Sequence, residues 1–112
     1  MLIRASQQPE ITAPEDDLVM RRLVHAEHDA GVSVTHVRLA GIHRPLRTDR
    51  STRVYYVLEG SARFVVGDRP PVVAHAGDVV VVPRSVRYGF EGELAYLAIN
   101  APPFVEGDDV YG

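Results

Sequence analysis

The chain has 112 residues, 46% of them apolar and 24% charged, with a net charge of −3. A chain of this length buries about two-thirds of the surface its unfolded form exposes, enough for one core and no second domain. The composition excludes a disordered chain, the acidic balance without a basic stripe excludes the footprint of a nucleic-acid binder, and the absence of cysteine and lysine removes thiolates, disulfides, cysteine-ligated metals and Schiff bases.

Residues 1–30 read as an N-terminal arm or strand. The opening "MLIRASQQPEITAPEDDL" has no apolar leader core, and no later segment approaches the ~18 continuous apolar residues of a membrane span, so a cytoplasmic protein is expected. The stretch "EDDLVMRRLVHAEHDAG" carries helix-type caps, acidic at its start and Gly31 at its end, yet "DLVMRRLV" suits an extended segment equally, and the strand or arm is the preferred reading. His25 and His28 would then face opposite sides of a strand, and only a helix would let such a pair share a metal.

From residue 31 onward, short apolar runs are divided by turn formers, the pattern of an all-β sandwich or barrel. The runs are "VSVTHVRLA" (32–40), "RVYYVL" (53–58), "ARFVV" (62–66), "VVA" (72–74), "DVVVVP" (78–83) and "LAYLAIN" (94–100). Turns are expected at Gly41, Gly60-Ser61, Gly67-Asp68, Pro70-Pro71, Gly77-Asp78 and Glu91-Gly92. Strand alternation puts Arg53, Tyr55 and Val57 on one face and Val54, Tyr56 and Leu58 on the other. Four consecutive valines imply a strand covered on both sides, and for so small a barrel the outer cover is expected to be a second copy of the chain, a homodimer.

The order "YYVLEG", "ARFVVGD", "AGDVVVVPRSVRYGF" and "LAYLAINAPPF" resembles the cupin family. The resemblance implies a double-stranded β-helix, a jelly-roll barrel of two antiparallel sheets over residues 31–104, with 105–112 as a C-terminal tail. Cupins carry a His-x-His pair, a Glu, a Gly seven residues after it, and a further His five residues after a proline. Counted from Gly60 and Pro83, those ligand positions fall near Arg47 and Asp49, at Arg53 and at Tyr88. No His-x-His occurs, and Pro45 stands two residues after His43. Guanidinium repels cations and neutral phenol is a poor ligand, so no metal and no other cofactor is expected.

Without its ligands the pocket suits a small molecule, anionic or carbonyl-bearing. Arg53, Arg47, Tyr55 and Phe90 are the candidate binding residues, arginine offering a planar donor fork. His43 or Asp49 would serve as base and Tyr88 as acid in a proton transfer: an isomerisation, epimerisation, cyclisation or dehydration. Related cupins act as sugar-nucleotide epimerases and isomerases without metals, which the resemblance extends to this chain by analogy. Arg53 could instead sit in a structural ion pair with Asp49 or Asp78. Two other functions fit the same residues: a ligand-binding or sensory cupin without turnover, and an oxygenase or lyase holding a metal through His36, His43 and His75.

Overall fold

The computed structural model describes Met1–Gly112. Its only helical elements are three-residue 3-10 turns, and none is long and apolar enough to cross a membrane. Eight strands form the body: β1 (Ile11–Ala13), β2 (Leu18–Val24), β3 (Ser33–Thr48), β4 (Thr52–Val66), β5 (Val72–His75), β6 (Val79–Val82), β7 (Tyr88–Ala101) and β8 (Asp109–Tyr111). Every pairing is antiparallel.

Three of these strands are too long to be flat, and they build both layers of the jelly roll. The first half of β3 pairs with β2 and the end of β7, while β4 pairs with β6 through Arg53–Tyr56. The second half of β3 takes β8, and β4 beyond Gly60 takes β5. The ladder therefore bends along a line where Gly41 faces Gly92 and Gly92 faces Ala62. The expected turns at Gly41, Gly60-Ser61 and Glu91-Gly92 are thus bends inside continuous strands. Gly92 has φ +155°, and a Cβ there would lie 2.3 Å from the Ser61 carbonyl oxygen. Glycine supplies a backbone conformation that lets two strands approach as they fold over, so the signal was the right residue with a different consequence.

The two layers enclose one core. Leu39, Leu46, Tyr55, Val57, Phe64, Val82 and Tyr88 are essentially sealed, and Tyr55, Phe64, Tyr88, Phe90 and Tyr96 pack ring against ring at centroid spacings of 4.5–6.5 Å. Alternation holds along β4: Arg53, Tyr55 and Val57 point inward, whereas Tyr56 and Leu58 are exposed. In β6, Val82 is sealed while Val79 and Val81 lie about half exposed on the outer face, at 52% and 57%.

Both chain ends join the same barrel. Residues 18–24 are extended and pair with β3, so the helix alternative is not what forms. His25 and His28 sit at a 3-10 turn rather than along a strand, their rings 4.1 Å apart, with the His25 peptide N–H donating to His28 Nδ1 at 3.0 Å. The last residues, expected as a tail, return as β8 beside Leu46–Thr48.

Candidate active site

A cavity of about 280 Å³ opens between the layers. Its floor is Arg53 and Tyr55 from β4, Tyr96 and Asn100 from β7, and His43 from β3, with Met20 of β2 and Phe104, Glu106 and Asp109 of the C-terminal segment around it. Strand parity explains the floor: residues 53 and 55, and residues 96, 98 and 100, all point to the inner face.

Arg53 is buried, 5% exposed, and tightly held. Its Nε donates to Asn100 Oδ1 at 2.6 Å, one terminal nitrogen donates to the Tyr88 hydroxyl at 2.9 Å, and the other donates to Asp109 Oδ1 at 2.7 Å. Burial works against its charge, but the Asp109 carboxylate and the hydrogen bonds around the guanidinium outweigh burial and keep it protonated. The Arg53 ion pair foreseen with Asp49 or Asp78 is thus made with Asp109 instead. That carboxylate lies 56 residues away, in the segment expected to be a tail.

The Tyr88 and Tyr55 hydroxyls are 2.5 Å apart. Burial pushes both phenols above their usual range, Tyr88 well above, so both stay neutral donors at ordinary pH. One ordering leaves a donor in the cavity: Arg53 N–H to Tyr88 oxygen, Tyr88 O–H to Tyr55 oxygen, and Tyr55 O–H toward a guest. Tyr96 also lines the cavity.

His43 is 7% exposed and stacks on Phe90 at 4.8 Å. Its Nδ1 lies 2.9 Å from the Arg44 carbonyl oxygen, an acceptor only, so Nδ1 carries the proton and Nε2 keeps its lone pair. Burial lowers the imidazole pKa, a shift that the Arg44 carbonyl and Asp16 only partly oppose, and the ring is neutral near pH 7. A neutral imidazole with a free Nε2 is a general base.

The structure brings His43, Arg53, Tyr55 and Tyr88 into one hydrogen-bonded and packed group. Tyr88 reaches the cavity through Tyr55; its own ring, with His43 and Phe90, also lines a cleft of about 480 Å³ on the other side. Phe90 is core, stacked between His43 and Phe64. Arg47 and Asp49 are not brought to the cavity: they form a partly exposed pair at 3.2 Å, close in sequence and turned to solvent. Asn100, Tyr96, Asp109 and Asp16 were missed. The parity of "LAYLAIN" could have found the first two.

A divalent cation does not fit these residues. No group of three His, Asp or Glu side chains converges anywhere in the chain. His36 lies in an outer groove beside Arg21 and Arg38, and His75 is exposed near Asp78, so the trio His36, His43 and His75 has no common centre.

Among solved structures, the chain is similar to Pac13 from Streptomyces, described as a nucleoside dehydratase, with TM-score 0.87 and 21% identity over 100% of this chain and 90% of that one. Variants of that protein, with one histidine changed to glutamine or one tyrosine to phenylalanine, are solved with uridine. KdgF from Halomonas sp. matches with TM-score 0.80 and 14% identity over 93% of this chain and 94% of that one. Ectoine synthase from P. lautus matches with TM-score 0.84 and 13% identity over 100% and 89%. No curated protein sequence matches significantly. The sequence pattern of the cupin domain matches residues 36–99, more than half the chain, and the protein belongs to the cupin family.

Proposed function

We propose that this cupin is a metal-independent proton-transfer enzyme of the dehydratase type, acting on an uncharged, hydroxyl-bearing small molecule with a carbonyl group. His43 Nε2 takes a proton from the carbon beside the carbonyl. The C–H electron pair becomes the new C=C bond, the C–O bond at the next carbon breaks, and the departing hydroxyl takes a proton from Tyr55 and leaves as water. Tyr55 is resupplied through Tyr88, whose oxygen is held by Arg53. The proton on His43 returns to the phenols through solvent or product, which closes the cycle.

One observation carries this reading: a neutral imidazole with its Nε2 free lines the same cavity as Tyr55, whose hydroxyl meets that of the arginine-held Tyr88. Pac13, a nucleoside dehydratase, adds support through its uridine structures, because the residue types altered in them, one histidine and two tyrosines, are those that meet here.

Of the two kinds of guest expected from the sequence, anionic or carbonyl-bearing, the charge balance favours the second. The lining carries Glu15, Asp16, Glu106 and Asp109 against Arg22 and Arg53. Arg53 is held by Asp109 at 2.7 Å and Arg22 faces Glu106 at 3.3 Å on the exposed rim, so the lining is net negative and disfavours a phosphate or carboxylate. Hydroxyl groups, which donate to carboxylates and accept from phenols, match this wall better.

The same reading includes a homodimer, formed through the outer face of β4 and β6 where Tyr56, Leu58, Val79 and Val81 are exposed. The test of function is turnover on a panel of neutral β-hydroxycarbonyl sugars, followed by the absorbance of the conjugated product. His43→Gln and Tyr55→Phe should each lower the rate by about 10²–10⁴. Unchanged turnover in either variant contradicts the assignment.

A further inference from the structure

We propose that Asp16 and Arg44 form a positioning clamp that sets the tautomer and proton affinity of His43, an inference that rests on His43 being the base. The ladder between β3 and β7 shifts register between His43 and Leu46, so the Arg44 peptide sits in an irregularity where side chains are re-aimed. Asp16 grips that residue at both ends. Its Oδ1 accepts from the Arg44 peptide N–H at 3.0 Å and from Nε at 2.8 Å, while Oδ2 accepts from a terminal guanidinium nitrogen at 3.1 Å. The carbonyl of this doubly held residue is the group that accepts from His43 Nδ1.

The arm is fitted to this purpose at several points. Asp16 is 2% exposed, and Arg44 supplies its side-chain hydrogen bonds. The neighbouring Asp17 takes the Ile42 peptide N–H at 3.2 Å, and its carbonyl takes that of Ala40 at 3.1 Å. Gly41 lets Asp17 come so close, since a Cβ there would meet its carboxylate at 2.3 Å. From the other side, the Tyr111 ring of β8 lies 3.9 Å from the Arg44 guanidinium carbon. Both chain ends thus press on the one residue that orients the imidazole.

The charged groups that act on His43 are Asp16 from the N-terminal turn, Arg53 on β4 and Asp109 on β8, with the neutral Tyr55 and Tyr88 alongside, while Arg44 on its own strand acts through its peptide carbonyl. Removing the Asp16 charge takes away an attraction for the imidazolium, and removing the Arg44 guanidinium leaves that carboxylate without its ion partner and strengthens the attraction. The two changes therefore move His43 in opposite directions, which a purely structural role would not do.

The experiment is ¹⁵N NMR of the His43 ring through a pH titration in wild type, Asp16→Asn and Arg44→Gln. Wild type should show the Nδ1–H tautomer. Asp16→Asn should lower the His43 pKa by about half a unit and mix the tautomers, while Arg44→Gln should raise it by about as much. An unprotonated Nδ1 in wild type, or shifts absent or of one sign in the two variants, overturns the clamp. Should Asp16→Asn not fold, Arg44→Gln decides alone: a raised pKa supports the clamp and an unchanged one overturns it. The ring is observed without substrate, so these shifts together with normal turnover in His43→Gln would leave the clamp standing and remove the base assignment.

Discussion

Four hydrogen bonds run from Arg53 to Asn100, Tyr88 and Asp109, out of the five N–H groups a guanidinium has. Such a side chain organises neighbouring hydroxyls; it has little left for a ligand. Asp109→Ala would leave a buried cation unpaired and should cost on the order of 3 kcal/mol in urea unfolding. A loss below about 0.5 kcal/mol would mean that the pair is solvated. His43 and Asp16 both have folded-state pKa values below their ordinary ones: burial lowers His43, and for Asp16 the Arg44 hydrogen bonds outweigh the burial that would raise it. The unfolded chain therefore takes up protons first. The stability each contributes is complete above its unfolded pKa and is lost as pH falls toward its folded one. Thermal melting should begin to weaken below about pH 6.5 through His43 and His36, and again below about pH 4 through Asp16 and Asp108. His43→Gln should shrink the upper step to the share of His36 and keep the lower. The inward set Arg53, Tyr55 and Tyr88 was legible from strand parity and from the place of cupin ligands. Asp109 and Asp16 were not, because each meets its partner only after the chain has closed, at separations of 56 and 28 residues.

At the scale of elements, glycine bends decide how three long strands serve two layers. Gly92→Ala would put a methyl group against the Ser61 carbonyl at an unfavourable φ, and a cost of about 3 kcal/mol is expected from denaturation. A neutral substitution would mean that the bend is made elsewhere. Glycine in an apolar run reads as a chain reversal when only local spacing is available. Here the cross-strand partner, Gly41 against Gly92, turns the same residue into a fold line. The arm and tail were the least legible elements, since their strands are short and their faces are set by β3. They nevertheless supply much of the cavity wall, including Met20, Glu106 and Asp109.

For the whole molecule, the outer face of β4 and β6 is apolar. Val79, Val81, Tyr56 and Leu58 are exposed together on β6 and β4, whose register sets Val79 beside Tyr56. Large contiguous apolar patches on a small domain mark an interface. Sedimentation should give a dimer at micromolar concentration, and Val79→Asp with Val81→Asp should give a folded monomer; a monomeric wild type would remove the dimer from the account. The inner cavity is tested most directly by calorimetric titration with an uncharged sugar of the proposed class and with its phosphate monoester, in wild type and Tyr55→Phe. The uncharged compound should bind at least about tenfold tighter than the phosphorylated one. Tyr55→Phe should weaken the uncharged compound by about fivefold, the size of one lost hydrogen bond. Tighter binding of the phosphate monoester, or indifference to Tyr55, would contradict the assignment.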